Sequence, residues 1–263
     1  MKFKEKVVWI TGASSGIGEA LAYAFAREGA LLALSARNEV ELERVRAACP
    51  EPDNVLVVPL DVARFADAPA AAQSVIDHFG YLNILVNNAG ISQRSLVRDT
   101  DLSVDQKVMD VNFLGTVAVT KAVLPTLLRQ RFGQIVVISS VMGKIGTPLR
   151  SAYAASKHAL HGFFECMRAE VADQGIKICL ICPGYVNTNV TINALTGDGT
   201  PNRVKAESTE NGLAPDVFAR KALRAVAREK PVALIGGKEM ITIYLQRFFP
   251  GVLRWMVRRV DVT

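Results

Sequence analysis

Tyr153 and Lys157 stand four residues apart in the run Y-A-A-S-K. On a helix that spacing puts both side chains on one face, within reach of a common point. A phenol has a pKa of about 10 in water, and a neighbouring ammonium favours the phenolate. The pair therefore suits proton transfer near neutral pH, with Lys157 expected to lower the tyrosine pKa. Many surface helices carry the same spacing, so its weight comes from what lies upstream. A glycine-rich T-G-A-S-S-G-I-G fills residues 11–18, N-N-A-G fills 87–90, and Ser139 and Ser140 stand together.

The elements that must position these groups alternate along the chain. Short apolar runs at 7–10, 31–34, 55–58, 84–86, 135–138 and 176–181 read as strands. Between them lie helical patterns, including Ala20, Leu21, Ala24 and Phe25 at helical spacing, a charged helix over 41–48 and an alanine-rich one before the fourth strand. A long helical stretch with a break near Gly115 runs to Arg129, and the Tyr153 helix covers 151–173. Fully apolar strands alternating with helices imply a parallel sheet covered on both faces, in one α/β domain spanning 1–263. Such a doubly wound fold binds nucleotides at the carboxyl ends of its strands, where the glycine-rich turn, the N-N-A-G and the serines fall. Residues 187–212 break the pattern and read as a mobile substrate lid or as a plain surface excursion.

Gly12, Gly16 and Gly18 permit a tight turn and close approach to a pyrophosphate, and the helix that follows offers free N–H groups. The G-x-x-x-G-x-G spacing differs from the commoner G-x-G-x-x-G. The second strand ends L-S-A-R-N, with Ala36 where an acidic partner for a ribose 2′-hydroxyl is usual and Arg37 next to it. A guanidinium there suits a 2′-phosphate, so the residues favour NADP(H) over NAD(H), the alternative being an ordinary solvated arginine. Asp61 can accept from an adenine amino group or cap the next helix. The small residues Asn88, Ala89 and Gly90 let a ribose lie against the backbone.

The chain has 263 residues, 50% hydrophobic, with a formal net charge of +6. Its cations are scattered, which argues against nucleic-acid binding. No secretory leader and no run of about 18 apolar residues is visible, and the expected location is the cytoplasm. Cys49, Cys166, Cys179 and Cys182 read as free thiols. Cys179 and Cys182 form a C-x-x-C inside an apolar strand pattern with no second pair to complete a zinc site. His78, His158 and His161 show no metal spacing, and no metal is expected.

In order and spacing, these motifs resemble the short-chain dehydrogenase/reductase family, over nearly the whole length from Lys6 to about Leu234. The further carriers are Asn112 in V-N-F-L-G-T and P-G-Y-V-N-T at 183–188. The resemblance implies a single-domain Rossmann-type fold and a nicotinamide-dependent oxidoreductase. It implies a catalytic set of Asn112, Ser140, Tyr153 and Lys157, with Ser140 rather than Ser139 chosen because it precedes the tyrosine by the family's interval. In those roles Tyr153 is the acid or base, Ser140 steadies the oxyanion, and Lys157 binds the nicotinamide ribose. Asn112 holds a water that links Lys157 to solvent. Cofactor contacts implied in the same way are Gly12, Ser14, Ser15, Gly16, Ile17, Gly18, Arg37, Asp61, Val62, Asn88, Ala89, Gly90, Tyr153, Lys157, Pro183, Gly184, Val186 and Thr188.

The lid is similar to that of the member-seven branch of the family, which implies a lipophilic carbonyl or alcohol as substrate. A 3-oxoacyl-type reductase and an inactive NADP-binding module are the alternatives. Family members pair through the tyrosine helix and the one before it, which implies a homodimer or homotetramer. The end of the chain, 238–263, interleaves aromatics with Lys238, Arg247, Arg254, Arg258 and Arg259. It reads either as an amphipathic extension that touches a membrane or as a segment packed on the domain.

Overall fold

The computed structural model describes residues 2–259. Met1 and residues 260–263, the last part of the C-terminal extension, lie outside the described residues. Seven strands form one parallel sheet in the order β3-β2-β1-β4-β5-β6-β7. They are β1 Val7–Thr11, β2 Leu31–Ser35, β3 Val55–Val57, β4 Ile84–Asn87, β5 Gly133–Ile138, β6 Ile176–Pro183 and β7 Val232–Ile235. Alternate residues of a strand serve opposite faces. In β1, Val8 and Ile10 join the core on one side, while Val7 and Trp9 join the core on the other. That two-sided burial is why the strands read as apolar runs rather than as alternating patterns.

One face is covered by α1 Gly16–Arg27, α2 Glu39–Ala47 and α8 Pro215–Val226, whose Phe25, Leu42 and Phe218 are fully buried. The other carries α3 Ala68–Phe79, α5 Gly115–Gln130 and α6 Ser151–Glu170, which contribute Val75, Val119, Leu127 and Phe164. Helix α5 continues from α4 Leu102–Met109 through a widened π turn at Asp110–Leu114. The expected break near Gly115 is this turn. The body over 102–130 is long and apolar enough to cross a membrane by length and composition, yet Val119, Val123 and Leu127 are core residues.

Strand order reverses between β1 and β4, so their carboxyl ends part and leave a crevice. All the candidate motifs open into it. Residues 187–212 fold rather than run free. Leu195 bridges both Gln93 and Pro201, and Thr191, Ala194 and Ala206 are buried. The four-residue helix α7 Glu207–Glu210 ends the segment. Leu195 N–H donates to the Ser92 carbonyl at 2.9 Å and its carbonyl accepts from Arg94 N–H at 2.7 Å, which clips the segment to the loop after β4. The segment expected as a mobile substrate lid or a plain surface excursion is thus packed against the loop after β4.

The C-terminal helices α9 Ile241–Phe248 and α10 Pro250–Val257 follow β7. Met240, Ile243, Leu245 and Leu253 pack with Val141, Met142, Ile145 and Tyr153. Part of the extension is thus a wall of the crevice, as the packing alternative anticipated, while its opposite side is solvent-exposed.

Candidate active site

The glycine-rich turn is built for backbone contact. Gly12 and Gly16 adopt φ of +65° and +60°, which side chains disfavour. A Cβ on Gly18 would stand 2.2 Å from the Gly12 carbonyl oxygen and 2.6 Å from Asn88 Nδ2. Ser15 caps α1 without a side-chain hydrogen bond, so the first amides of the helix keep no internal partner. Ile17 packs on the core below the turn, and Ser14 and Ser15 sit at its rim. Asn88 braces the turn, its Nδ2 donating to the carbonyls of Thr11 and Gly12, each at 3.0 Å. The Thr11 hydroxyl accepts from the N–H groups of Asn88 and Ala89 at 3.1 and 3.2 Å. Thr188 closes the turn from above, its methyl 3.3 Å from where a Gly16 Cβ would be. These cradles fit a dinucleotide pyrophosphate.

Arg37 is exposed beyond the end of β2. Asp61 Oδ1 accepts from Ala63 N–H at 3.1 Å, so it shapes its own turn rather than capping α3. Val62 is buried, its carbonyl oxygen 2.6 Å from where a Gly115 Cβ would stand.

The π turn places Asn112 fully inside, and its amide is committed to protein. Nδ2 donates to the Ile91 carbonyl at 2.9 Å and to Ser156 Oγ at 3.0 Å, and Oδ1 accepts from Ile91 N–H at 2.8 Å. Both donor hydrogens of the amide thus have partners, leaving a spare lone pair on Oδ1 for a water. A Cβ on Gly90 would stand 3.1 Å from that oxygen and 3.5 Å from Lys157 Nζ, so a larger residue would crowd the space between them.

Ser140, Tyr153 and Lys157 converge at the end of β5. Ser140 Oγ accepts from Met142 N–H at 3.1 Å and lies close enough to the Tyr153 phenol to influence its titration. Lys157 Nζ donates to the Ile138 carbonyl at 2.9 Å and lies 5.7 Å from the Tyr153 ring centroid. Burial pulls Lys157 down to about 8, opposed by the nearby Cys182 thiol. Tyr153 departs from the sequence expectation. Burial raises its pKa above the ordinary value, while the Ser140 hydrogen bond and the charge of Arg150 act in the lowering direction. The Lys157 ammonium, 5.7 Å from the ring centroid, keeps the geometry that the sequence anticipated, but burial is the larger influence on the phenol.

A short chain dehydrogenase family profile matches residues 6–198. A dehydrogenase/reductase SDR family protein 7-like of Anopheles gambiae is 43% identical over 97% of this chain and 82% of its own length. The human dehydrogenase/reductase SDR family member 7 is 41% identical, covering 97% of this chain and 78% of its own. The chain belongs to the short-chain dehydrogenase family. Among solved members, one from Burkholderia phymatum in complex with NAD superimposes with a TM-score of 0.85 at 25% identity, covering 96% of each chain. An alcohol dehydrogenase from Thermococcus sibiricus, complexed with 5-hydroxy-NADP, gives 0.76 at 28% identity over 90% of this chain and 98% of that one.

Around the motifs shared with this family lie residues that sequence reasoning passed over. Arg44 on α2 reaches back to the glycine-rich turn, donating to Glu19 Oε1 at 2.8 Å and to the Ser14 carbonyl at 3.3 Å. Glu239 Oε1 accepts from the N–H groups of Tyr185 and Gly237 at 3.0 and 2.9 Å. It thereby ties the start of the C-terminal extension to the Pro183–Gly184–Tyr185 loop. A Cβ on Gly184 would displace that carboxylate from its place. Val186 is buried below the loop. Behind Lys157, His161 sits between Ser139 and Cys182, with Nε2 at 3.2 Å from Ser139 Oγ and 3.5 Å from Cys182 Sγ. Burial, helped by the charges of Lys144, His158 and Arg168, pulls His161 down to about 4, so it is neutral and structural. Cys179 and Cys182 are buried free thiols, Cys179 in the core on the α1 side and Cys182 against His161. Among the described residues no group of three His, Cys, Asp or Glu could hold a metal.

Proposed function

We propose that this chain is an NADP(H)-dependent oxidoreductase that interconverts a carbonyl and a secondary alcohol on a lipophilic, steroid-, retinoid- or lipid-like substrate. The observation that carries this reading is the convergence of Tyr153 and Ser140 with buried Lys157, 5.7 Å from the tyrosine ring centroid. A nicotinamide bound in the crevice supplies or accepts the hydride. Gly12, Ser14, Ser15, Gly16, Ile17 and Gly18 would hold its pyrophosphate, Asp61 and Val62 the adenine, and Asn88, Ala89 and Gly90 the ribose. Pro183, Gly184, Val186 and Thr188 would line the nicotinamide. In reduction Tyr153 gives its proton to the carbonyl oxygen, and its raised pKa keeps that proton in place until the oxygen becomes basic. The Ser140 hydroxyl orients the same oxygen. Lys157 spends one of its three ammonium donors on Ile138, leaving two for ribose hydroxyls. Asn112 fixes the loop carrying Gly90 and Ile91 against α6 and offers Oδ1 to a relaying water.

NADP(H) is favoured because Ala36 offers no acceptor at the end of β2 while Arg37 projects there and Arg44 sits on the turn. The apolar wall of Val141, Met142, Ile145 and Met240 beside Tyr153 favours a lipophilic substrate. A 3-oxoacyl-type substrate is the second reading, favoured by Arg150 and Arg94, whose charges act on each other next to Tyr153 and Tyr185. The enzyme would work in the cytoplasm as a homodimer or homotetramer, paired through α5 and α6 beside the π turn, whose Leu114 is 41% exposed and whose Phe113 meets Phe163 of α6 edge-on. Its C-terminal extension would touch membranes peripherally, and the packed flap over 187–212 would admit substrate. Loss of NADPH absorbance across a panel of hydrophobic ketones, aldehydes and 3-oxoacyl thioesters tests the reading. Consumption with none of them, or only with NADH, would reject it.

A further inference from the structure

The outer edge of the sheet carries a feature the oxidoreductase chemistry does not use. A cavity of about 650 Å³ lies between α8, β7 and α9. Lys144, Lys221, Arg224, Arg228 and Lys230 all line it, and no carboxylate does. Lys144 has Glu165 at 3.9 Å, but the other four form no ion pair among the described residues. Four cations crowded with no ion pair among the described residues repel one another unless an anion joins them. The groove also contains Ile243 and Tyr244 of α9. Tyr244 belongs at the same time to an exposed apolar stripe with Ile241 and Phe248, continued through Phe249 to Val252 and Trp255 on α10. The same helix α9 turns Ile243 and Leu245 to the apolar cluster that includes Tyr153. Arg259 stacks on the Trp255 ring at 4.0 Å, the pairing of an amphipathic tip with an aromatic body that suits a lipid interface.

We propose that this groove seats the phosphate headgroups of an anionic phospholipid bilayer, while the stripe of α9 and α10 enters the bilayer beside it. The charge fixes the chemistry of the partner, and the continuity through Tyr244 fixes its geometry. A membrane held there lies next to the crevice wall, so a bilayer-dissolved substrate reaches Tyr153 along Met240 and Ile243. This deepens the peripheral membrane reading above and rests on it.

Co-sedimentation of the full chain with phosphatidylcholine vesicles, with and without phosphatidylserine, tests it. Two variants accompany the wild type, K221Q/R224Q/R228Q and F248S/W255S, each checked for NADPH binding to show that it folds. The wild type should prefer the serine-containing vesicles. The triple variant should lose that preference by roughly fivefold for each cation removed, on the order of 100-fold in all. The F248S/W255S variant should bind both kinds of vesicle more weakly. A triple variant that partitions like the wild type would overturn the groove while leaving peripheral contact standing. A wild type that sediments with neither vesicle would defeat both. Tighter binding to a duplex oligonucleotide than to phosphatidylserine vesicles, through the same cations, would assign the groove to nucleic acid and overturn the proposal.

Discussion

Replacing Lys157 with Met should stabilise the protein while abolishing its turnover. Lys157 is fully enclosed, and burial lowers its pKa from 10.5 to about 8. At about 1.4 kcal/mol per pH unit, that displacement is a penalty of roughly 3 kcal/mol on the folded state. The sign follows from proton counting. Below pH 8 folded and unfolded chains both carry the proton, and the penalty is complete. Between about 8 and 10.5 the folded chain has released its proton while the unfolded chain keeps it, so stability rises with pH. Above that range the penalty is gone. Methionine removes the charge but leaves the Ile138 carbonyl without its 2.9 Å donor. That loss costs about 1 kcal/mol, leaving a net gain of about 2 kcal/mol at pH 7. For a chain of this size the gain is roughly 4–8 °C in Tm. Thermal unfolding of wild type and variant followed by circular dichroism at neutral and strongly alkaline pH measures it. The advantage should shrink nearly to nothing near pH 10. A variant less stable than wild type at pH 7, or an advantage that does not change with pH, would refute the reasoning.

Gly18→Ala should weaken cofactor binding at least tenfold and lower stability by about 1–3 kcal/mol, because its Cβ meets the Gly12 carbonyl. Titration with NADPH and a melting curve check both. Ala36→Asp should shift the kcat/KM ratio of NADPH to NADH toward NADH by on the order of 100-fold, through repulsion of a 2′-phosphate. An unchanged ratio would remove the basis for the NADP(H) preference. Glu239→Ala should raise KM for the cofactor by about fivefold to tenfold with little change in kcat, since two backbone donors lose their acceptor. Glu239→Gln, which keeps an acceptor oxygen, should recover most of the loss. An Ala variant with wild-type KM would show that the latch positions nothing.

The strands from 7–10 to 176–181 were legible because burial on both faces leaves mostly apolar residues in them, as Val7 to Ile10 show, with the exposed Lys177 an exception in β6. The turn was legible because only glycine tolerates the positions at 12, 16 and 18. Strand β7 escaped notice because Val232–Ile235 is short and follows a charged turn. Helix α8 escaped because its buried Phe218, Ala219, Ala222 and Leu223 alternate with charges that mask the pattern locally. The ties made by Arg44 and Glu239 depend on tertiary contacts 30 and 54 residues distant, which no local pattern carries. The sequence pairing of Tyr153 and Lys157 was correct as geometry. Spacing cannot report desolvation, and burial is the largest influence on the titration of both groups. The 187–212 segment looked unstructured because its order comes from scattered side-chain and backbone bonds, such as Asn202 Nδ2 to the Thr191 carbonyl at 3.0 Å, rather than from periodicity.

The catalytic role of the Tyr153 hydroxyl is tested most directly by Tyr153→Phe, which removes one oxygen and little else. With NADPH and a ketone that the wild type reduces, the variant should lose turnover by roughly 10²–10⁴-fold, the share expected of a positioned proton donor. Its NADPH affinity, followed by fluorescence titration, should stay at the wild-type value. A variant that reduces the ketone at the wild-type rate would show that the proton comes from elsewhere.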